Sequence, residues 1–170
     1  VGSEMCIRDS FMGDFHLTSD EDIQYLITCE KRFTAPPKRP VYSDRDITQR
    51  FEVYSKEKDL KFNVFIAYSA RLPQDFSIGL MYNGFLLLRC NGYHGTTRIG
   101  YYNNTNHHAY PHAHLLTMRD IESGRGKKPS NIEDMSGNYM NLLTAEAYFF
   151  NRCNILDAEK YFDIAQLSLF

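Results

Sequence analysis

The chain has 170 residues, 24% of them charged, and a formal charge of −2 at pH 7. That length suits one domain with a single core. The near balance of charge excludes a protein that holds nucleic acid mainly by neutralising phosphates, but not one with a local basic patch. No apolar run approaches the roughly 20 residues of a membrane span, so no membrane partner is expected.

Residues 1–10, Val-Gly-Ser-Glu-Met-Cys-Ile-Arg-Asp-Ser, resemble the in-frame translation of a transposase-type sequencing-library adapter. They are set aside as an artefact, with Met12 as a candidate start, and residues 11–170 are read as one α+β domain. Cys29, Cys90 and Cys153 remain, far apart and among apolar neighbours. That spacing makes neither a disulfide framework nor a CxxC metal site. Three buried thiols in a reducing cytoplasm are the expectation.

Thr18-Ser-Asp-Glu21 reads as a capping box for a helix over residues 19–33, with Ile23, Leu26, Ile27 and Phe33 on its apolar face. Pro36, Pro37 and Pro40 end it. Lys31, Arg32, Lys38 and Arg39 cluster there and read as a solvated basic turn. Residues 50–57 and 60–71 are β-branched and aromatic, and predict a hairpin closed by Glu57-Lys-Asp59. Asn83-Gly84 between two apolar runs predicts a type I′ hairpin of residues 76–82 and 85–90. Counted from that turn, Tyr82 pairs with Phe85, Leu80 with Leu87 and Ile78 with Arg89, and Ser77 pairs with Cys90 on the other face. Arg89 would then stand on an apolar face near the strand end and need a partner or an anion.

Residues 91–111 read as a loop and 113–118 as a last strand. Residues 119–137 are polar, and Arg125, Lys127 and Lys128 read as a solvated loop, since the GxxxxGK[ST] spacing of a phosphate-cradling loop is absent. Tyr139, Leu142, Leu143, Glu146, Phe149, Phe150 and Cys153 recur at three and four, one face of a long helix ending at Asn154. Asp157 predicts the cap of a final helix, with Leu156 and Tyr161 as its staple. The expected fold is α+β: an N-terminal helix, an antiparallel meander of about five strands, and two C-terminal helices packed on the sheet.

Five of the six histidines lie between His94 and His114, with Arg89 and Asn91 just before them. His112 and His114, two apart in a strand, share a face. Three chemistries use such a pair. Two strand histidines with His94 or His107 could ligate a metal. Two histidines could act as acid and base in phosphodiester cleavage while Arg89 steadies the added negative charge. The same groups could simply hold an anion. No Asp or Glu lies between Asp75 and Asp120, which favours the metal-free chemistries, although an all-histidine site stays open. Tyr110 could stack on a base.

The segments "EKRF", "FSIGLMY…LLLRCNGYHG", "HHAYPHAHLLT" and "FFNRCNI" resemble a family of small prokaryotic domains of unknown function. That family is similar in pattern to the toxins of transposon-associated toxin–antitoxin pairs. The resemblance spans most of residues 17–165, with a longer loop between the motif halves and a longer segment after Thr117. It implies an RNA-directed activity, with Arg89, Asn91, Gly92 and His94 in one turn and His108, His112 and His114 at the histidine-rich end. The expectation is a cytoplasmic, metal-independent ribonuclease-like toxin without a cofactor, with RNA and a cognate antitoxin as partners. In it His112, His114 and His94 are catalytic, and Arg89, Asn91 and His108 bind substrate. The alternatives are a non-catalytic interaction domain with structural histidines, and a histidine-ligated metal enzyme.

Overall fold

A computed structural model describes residues 15–93 and 107–165 of the chain. The adapter-like residues 1–10 and most of the expected loop, His94 included, lie outside them.

The first helix, α1 (Asp20–Thr28), is capped by Ser19. The Ser19 hydroxyl accepts from the Asp22 amide at 3.2 Å, and the Asp22 carboxylate accepts from the Ser19 amide at 3.1 Å. Thr18 donates to the same carboxylate through its amide and hydroxyl, so the expected box forms one residue later in the chain. Ile23, Leu26 and Ile27 bury one face.

The helix ends well before residue 33 because Lys31 turns inward. Lys31 is not solvated; it is fully buried. Its Nζ donates to the carbonyls of Ile27 (2.8 Å), Cys29 (2.8 Å) and Cys153 (3.0 Å) and lies 4.7 Å above the Phe62 ring. These carbonyls crown the C-terminal ends of two helices, where partial negative charge gathers and a cation is favoured. Desolvation still outweighs them and lowers the Lys31 pKa.

The strands that follow are β1 (Arg32–Phe33), β2 (Val41–Tyr42), β3 (Asp46–Ser55), β4 (Leu60–Ser69), β5 (Phe76–Tyr82), β6 (Phe85–Asn91), β7 (His112–Leu115) and β8 (Asn131–Asp134). A short helix α2 (Met118–Glu122) separates β7 from β8, and α3 (Leu142–Arg152) follows β8. They form one antiparallel sheet in the order β1-β3-β4-β5-β6-β7-β8, with β2 also on the outer edge of β3. Eight strands replace the expected five. The additions, β1, β2 and β8, have only two to four residues and join through backbone pairing, so no alternation of apolar residues announces them.

Alternate residues of the central strands, including Phe62, Val64, Ile78, Leu80 and Cys90, share one buried cluster with α1 and α3. Cys29, Cys90 and Cys153 are buried free thiols there. α3 begins at Leu142, capped by Asn141, and ends as Asn154 enters the left-handed region at φ 50°. The expected final helix is only a 3-10 turn, Ala158–Lys160. Asp157 sits at φ 64° and makes no cap hydrogen bond; its carboxylate pairs with Arg32 (3.1 Å) and Lys160 (3.3 Å). No helix among the described residues is long and apolar enough to cross a membrane.

Glu146 of α3 is half-buried, and desolvation, reinforced by Asp163, pushes its carboxyl from 4.5 up to about 7. Between those values the folded chain keeps a proton that the unfolded chain has released, so stability falls as pH rises through this window. Glu146→Gln is neutral at every pH. Its melting temperature at pH 8 is expected to exceed the parent's by roughly 3 °C or more, a gain that vanishes below pH 4.5. Equal melting temperatures at both pH values would show that Glu146 ionises without cost.

Candidate functional site

The hairpin of β5 and β6 carries the site, and one irregularity decides where its residues point. Asn83 (φ 46°) and Gly84 (φ 79°) make the expected turn, and Tyr82 pairs with Phe85 and Met81 with Leu86. Then the register shifts. Leu80 pairs with Leu88, leaving Leu87 as an extra residue in a β-bulge. Beyond it Ile78 pairs with Cys90, Gly79 with Arg89 and Ser77 with Asn91, so the expected Ile78–Arg89 and Ser77–Cys90 pairs are each off by one. The cause is burial: Leu87 and Leu88 both join the core cluster, and the bulge lets adjacent residues do so. Arg89, between Leu88 and Cys90, therefore projects from the face opposite the core.

Two cross-strand rows form on that face. One runs Phe65, Gly79, Arg89, His114 and Ile132, and the other Ala67, Ser77, Asn91, His112 and Asp134. A Cβ at Gly79 would collide with the Phe65 ring, so glycine there lets the ring lie flat across β5 beside the Arg89 position. Gly92 is equally constrained: its amide donates to the Phe76 carbonyl at 3.0 Å, and a Cβ would collide with the Gln74 carbonyl and the Phe76 ring. Backbone packing at the end of β6 thus needs the glycine of the Arg-Cys-Asn-Gly segment.

The second row is a hydrogen-bonded relay. His112 is fully buried, and its Nδ1 lies 2.9 Å from the Tyr110 carbonyl, which can only accept. Neutral His112 therefore carries its proton on Nδ1, and Nε2 accepts from the Asn91 Nδ2 at 3.1 Å. The remaining Asn91 oxygen accepts from the Ser77 hydroxyl at 2.6 Å. Beneath them the Tyr139 hydroxyl lies 3.0 Å from the Asn91 carbonyl and 2.9 Å from that of His112, tying β6 to β7 from the helical side. Burial, first, and the neighbouring Cys90 raise the Tyr139 pKa, so it stays a donor at any ordinary pH.

The first row centres on Arg89 and His114. His114 is 7% exposed, with Nδ1 3.0 Å from the Pro129 carbonyl, which places the lone pair of the neutral ring on Nε2. Its ring packs edge-on to that of His112, centroids 5.1 Å apart. Arg89, the cross-strand neighbour of His114, is half-buried, and desolvation lowers its pKa. Its Nε is buried without a hydrogen-bond partner among the described residues, and no carboxylate pairs with it there.

The fold thus gathers Arg89, Asn91, His112 and His114 into one patch. His108 is exposed at its margin, its ring centroid 6.0 Å from that of His112. Tyr110 packs edge-on to His112 at 6.1 Å. His94 lies outside the described residues. Ser77 and Tyr139 complete the relay unforeseen; Ser77 would have followed from the correct register, whereas Tyr139, expected on the face of the long helix, lies ahead of it. Among the described residues no three His, Cys, Asp or Glu side chains are grouped to hold a metal ion. No family model, curated protein or solved structure matches this chain.

Ring 15N shifts of neutral His112 are expected to report the Nδ1–H tautomer. Asn91→Ala removes a partner from both Ser77 and His112, and is expected to lower stability by about 2–4 kcal/mol in chemical denaturation. An Nε2–H tautomer, or a loss under about 0.5 kcal/mol, would break the relay assignment.

Proposed function

We propose that the face of the sheet around Arg89 and His114 binds the phosphate of an RNA strand, and that the protein is a toxin-like RNA-directed enzyme. The observation that carries this reading is a half-buried guanidinium, without a carboxylate partner among the described residues, beside a histidine on the adjacent strand. A buried charge is stable only when paired, and a planar guanidinium is matched to phosphate oxygens. The RNA identity rests on the resemblance of the Arg-Cys-Asn-Gly and His-rich segments to toxin-like domains, and a cognate antitoxin is the protein partner that resemblance implies.

In this reading Arg89 neutralises the non-bridging oxygens, whose charge grows as the 2′-oxygen attacks phosphorus. His114 is assigned to take the 2′-hydroxyl proton. His112 supports His114 by ring contact and is itself oriented by Tyr110 and Asn91, so it is the poorer of the two proton carriers. The proton for the departing 5′-oxygen comes from a second histidine, for which His108 stands at the margin of the patch.

A second reading has its own observation. His112 is fully buried with both ring nitrogens engaged, as in a structural histidine of a non-catalytic interaction domain.

Binding and cleavage of a labelled single-stranded RNA, with and without chelator, separate the two. Arg89→Gln is expected to weaken RNA binding about 10-fold or more, the worth of a charge-assisted hydrogen bond. His114→Ala is expected to slow cleavage about 100-fold or more while binding persists. Parent protein that neither binds nor cuts RNA, at an unchanged melting temperature, would move the assignment to the interaction domain. Chelator-sensitive cleavage would move it to a metal enzyme.

A further inference from the structure

At the other end of the β5–β6 hairpin lies a second concave site. Asn83, Gly84, Phe85 and Ile121 face the loop 124–128 across an open cavity of about 680 Å³. That volume is typical of small-molecule sites. A smaller cavity of about 290 Å³, lined by Phe15, His16, Leu17 and Tyr82, shares Asn83, Phe85 and Ile121 with it. The two make one groove with an apolar floor.

The loop over this floor is built, not merely draped. Gly124 takes the left-handed conformation at φ 76° and ends α2. The Gly126 carbonyl accepts from the Leu86 amide at 2.8 Å, fastening the loop to β6. A Cβ at Gly126 would collide with the Phe85 ring, so only a bare backbone fits beside it. The turn closes through Lys128 N–H to Arg125 O at 2.8 Å and Arg125 N–H to Asp120 O at 2.7 Å. Asp120 in turn holds Ser130, locking the far side of the loop.

This arrangement presents three exposed cations, Arg125, Lys127 and Lys128, at one rim. None forms an ion pair among the described residues, and no Asp or Glu lines the cavity. The amides of Gly126 and Lys127, central in the turn, donate to no acceptor among the described residues. Two successive amides without acceptors beside three exposed cations supply the donors and the charge that an anion needs. Their charge suits a phosphate dianion better than a single carboxylate, and the floor of Phe85 and Ile121 suits a flat, weakly polar body attached to it.

From this groove we infer a binding site for a mononucleotide-class ligand, its phosphate at the Arg125–Lys128 turn and its base over Phe85 and Ile121. The site is separate from the Arg89 face. Phe85 is on the core-facing register of β6, four residues from Arg89, and Arg89 projects from the opposite face. Neither site depends on the other.

Calorimetric and NMR titrations with adenosine 5′-monophosphate, uridine 5′-monophosphate, inorganic phosphate and adenosine test the assignment. At least one mononucleotide is expected to bind with Kd below about 1 mM and to shift the Gly126 and Lys127 amides. Phosphate alone and adenosine alone are each expected to bind at least about 10-fold more weakly, since each engages half of the site. The exposed triple variant Arg125→Gln, Lys127→Gln, Lys128→Gln is expected to lose about 10-fold or more in affinity at an unchanged melting temperature. Arg89→Gln is expected to leave mononucleotide affinity unchanged, which keeps this test apart from the RNA reading. Absence of binding by both mononucleotides overturns the inference. So does equal affinity for phosphate alone, or binding lost in Arg89→Gln and kept in the triple variant.

Discussion

The β-bulge at Leu87 sets the facing of every later residue in β6, and through β6 the facing of β7. Side chains alternate across a strand, so one inserted residue exchanges the two faces beyond it. Without the bulge, Arg89 and Asn91 would point into the cluster that α1 and α3 cover, and Cys90 would point out. A guanidinium and an amide in that apolar layer would each cost several kcal/mol unless partnered. With it, Leu87 and Leu88 both bury, and Arg89, Asn91, His112 and His114 emerge together on the other face. Core packing and the placement of the polar patch are two outcomes of one backbone irregularity.

Within the patch the two rows differ in kind. Ser77, Asn91, His112 and Tyr110 satisfy one another in a chain, and Tyr139 pins the carbonyls beneath. Such a saturated network is rigid, because each member's orientation is fixed by the next. Arg89 and His114 stand against that rigid row. A fixed wall beside a less constrained cation is the arrangement from which a binding site gains preorganisation.

Much of this architecture could be read from the sequence where local chemistry is decisive. Asn83-Gly84 announced its turn because few residue pairs accept two successive positive φ values. The apolar spacing of α3 located that helix, and Asn154 its end. What could not be read were features decided by partners distant in the chain. Lys31 resembles any surface lysine until two helix ends converge on it. Leu87 is indistinguishable from its two leucine neighbours, so the bulge leaves no trace in composition. Residues 131–134 are polar but for Ile132, and become β8 by pairing with the edge that β7 offers. The cap moved from Thr18 to Ser19 because either can accept, and only the Asp22 carboxylate, reachable from both, settles the choice. The loop at 124–128 was legible as charge; the aromatic floor beneath it was not.

Lys31 also bears on the order in which the chain can be made and folded. Its ammonium is held by α1, by the residues just after α1, and by Cys153, which lies 122 positions later. In chain order the first two carbonyls come early, while the third follows the whole sheet, β8 included. Closing so large a loop carries a substantial entropic cost, and contacts of that separation form late. The full set of acceptors for Lys31 thus exists only once the sheet and the last long helix have come together.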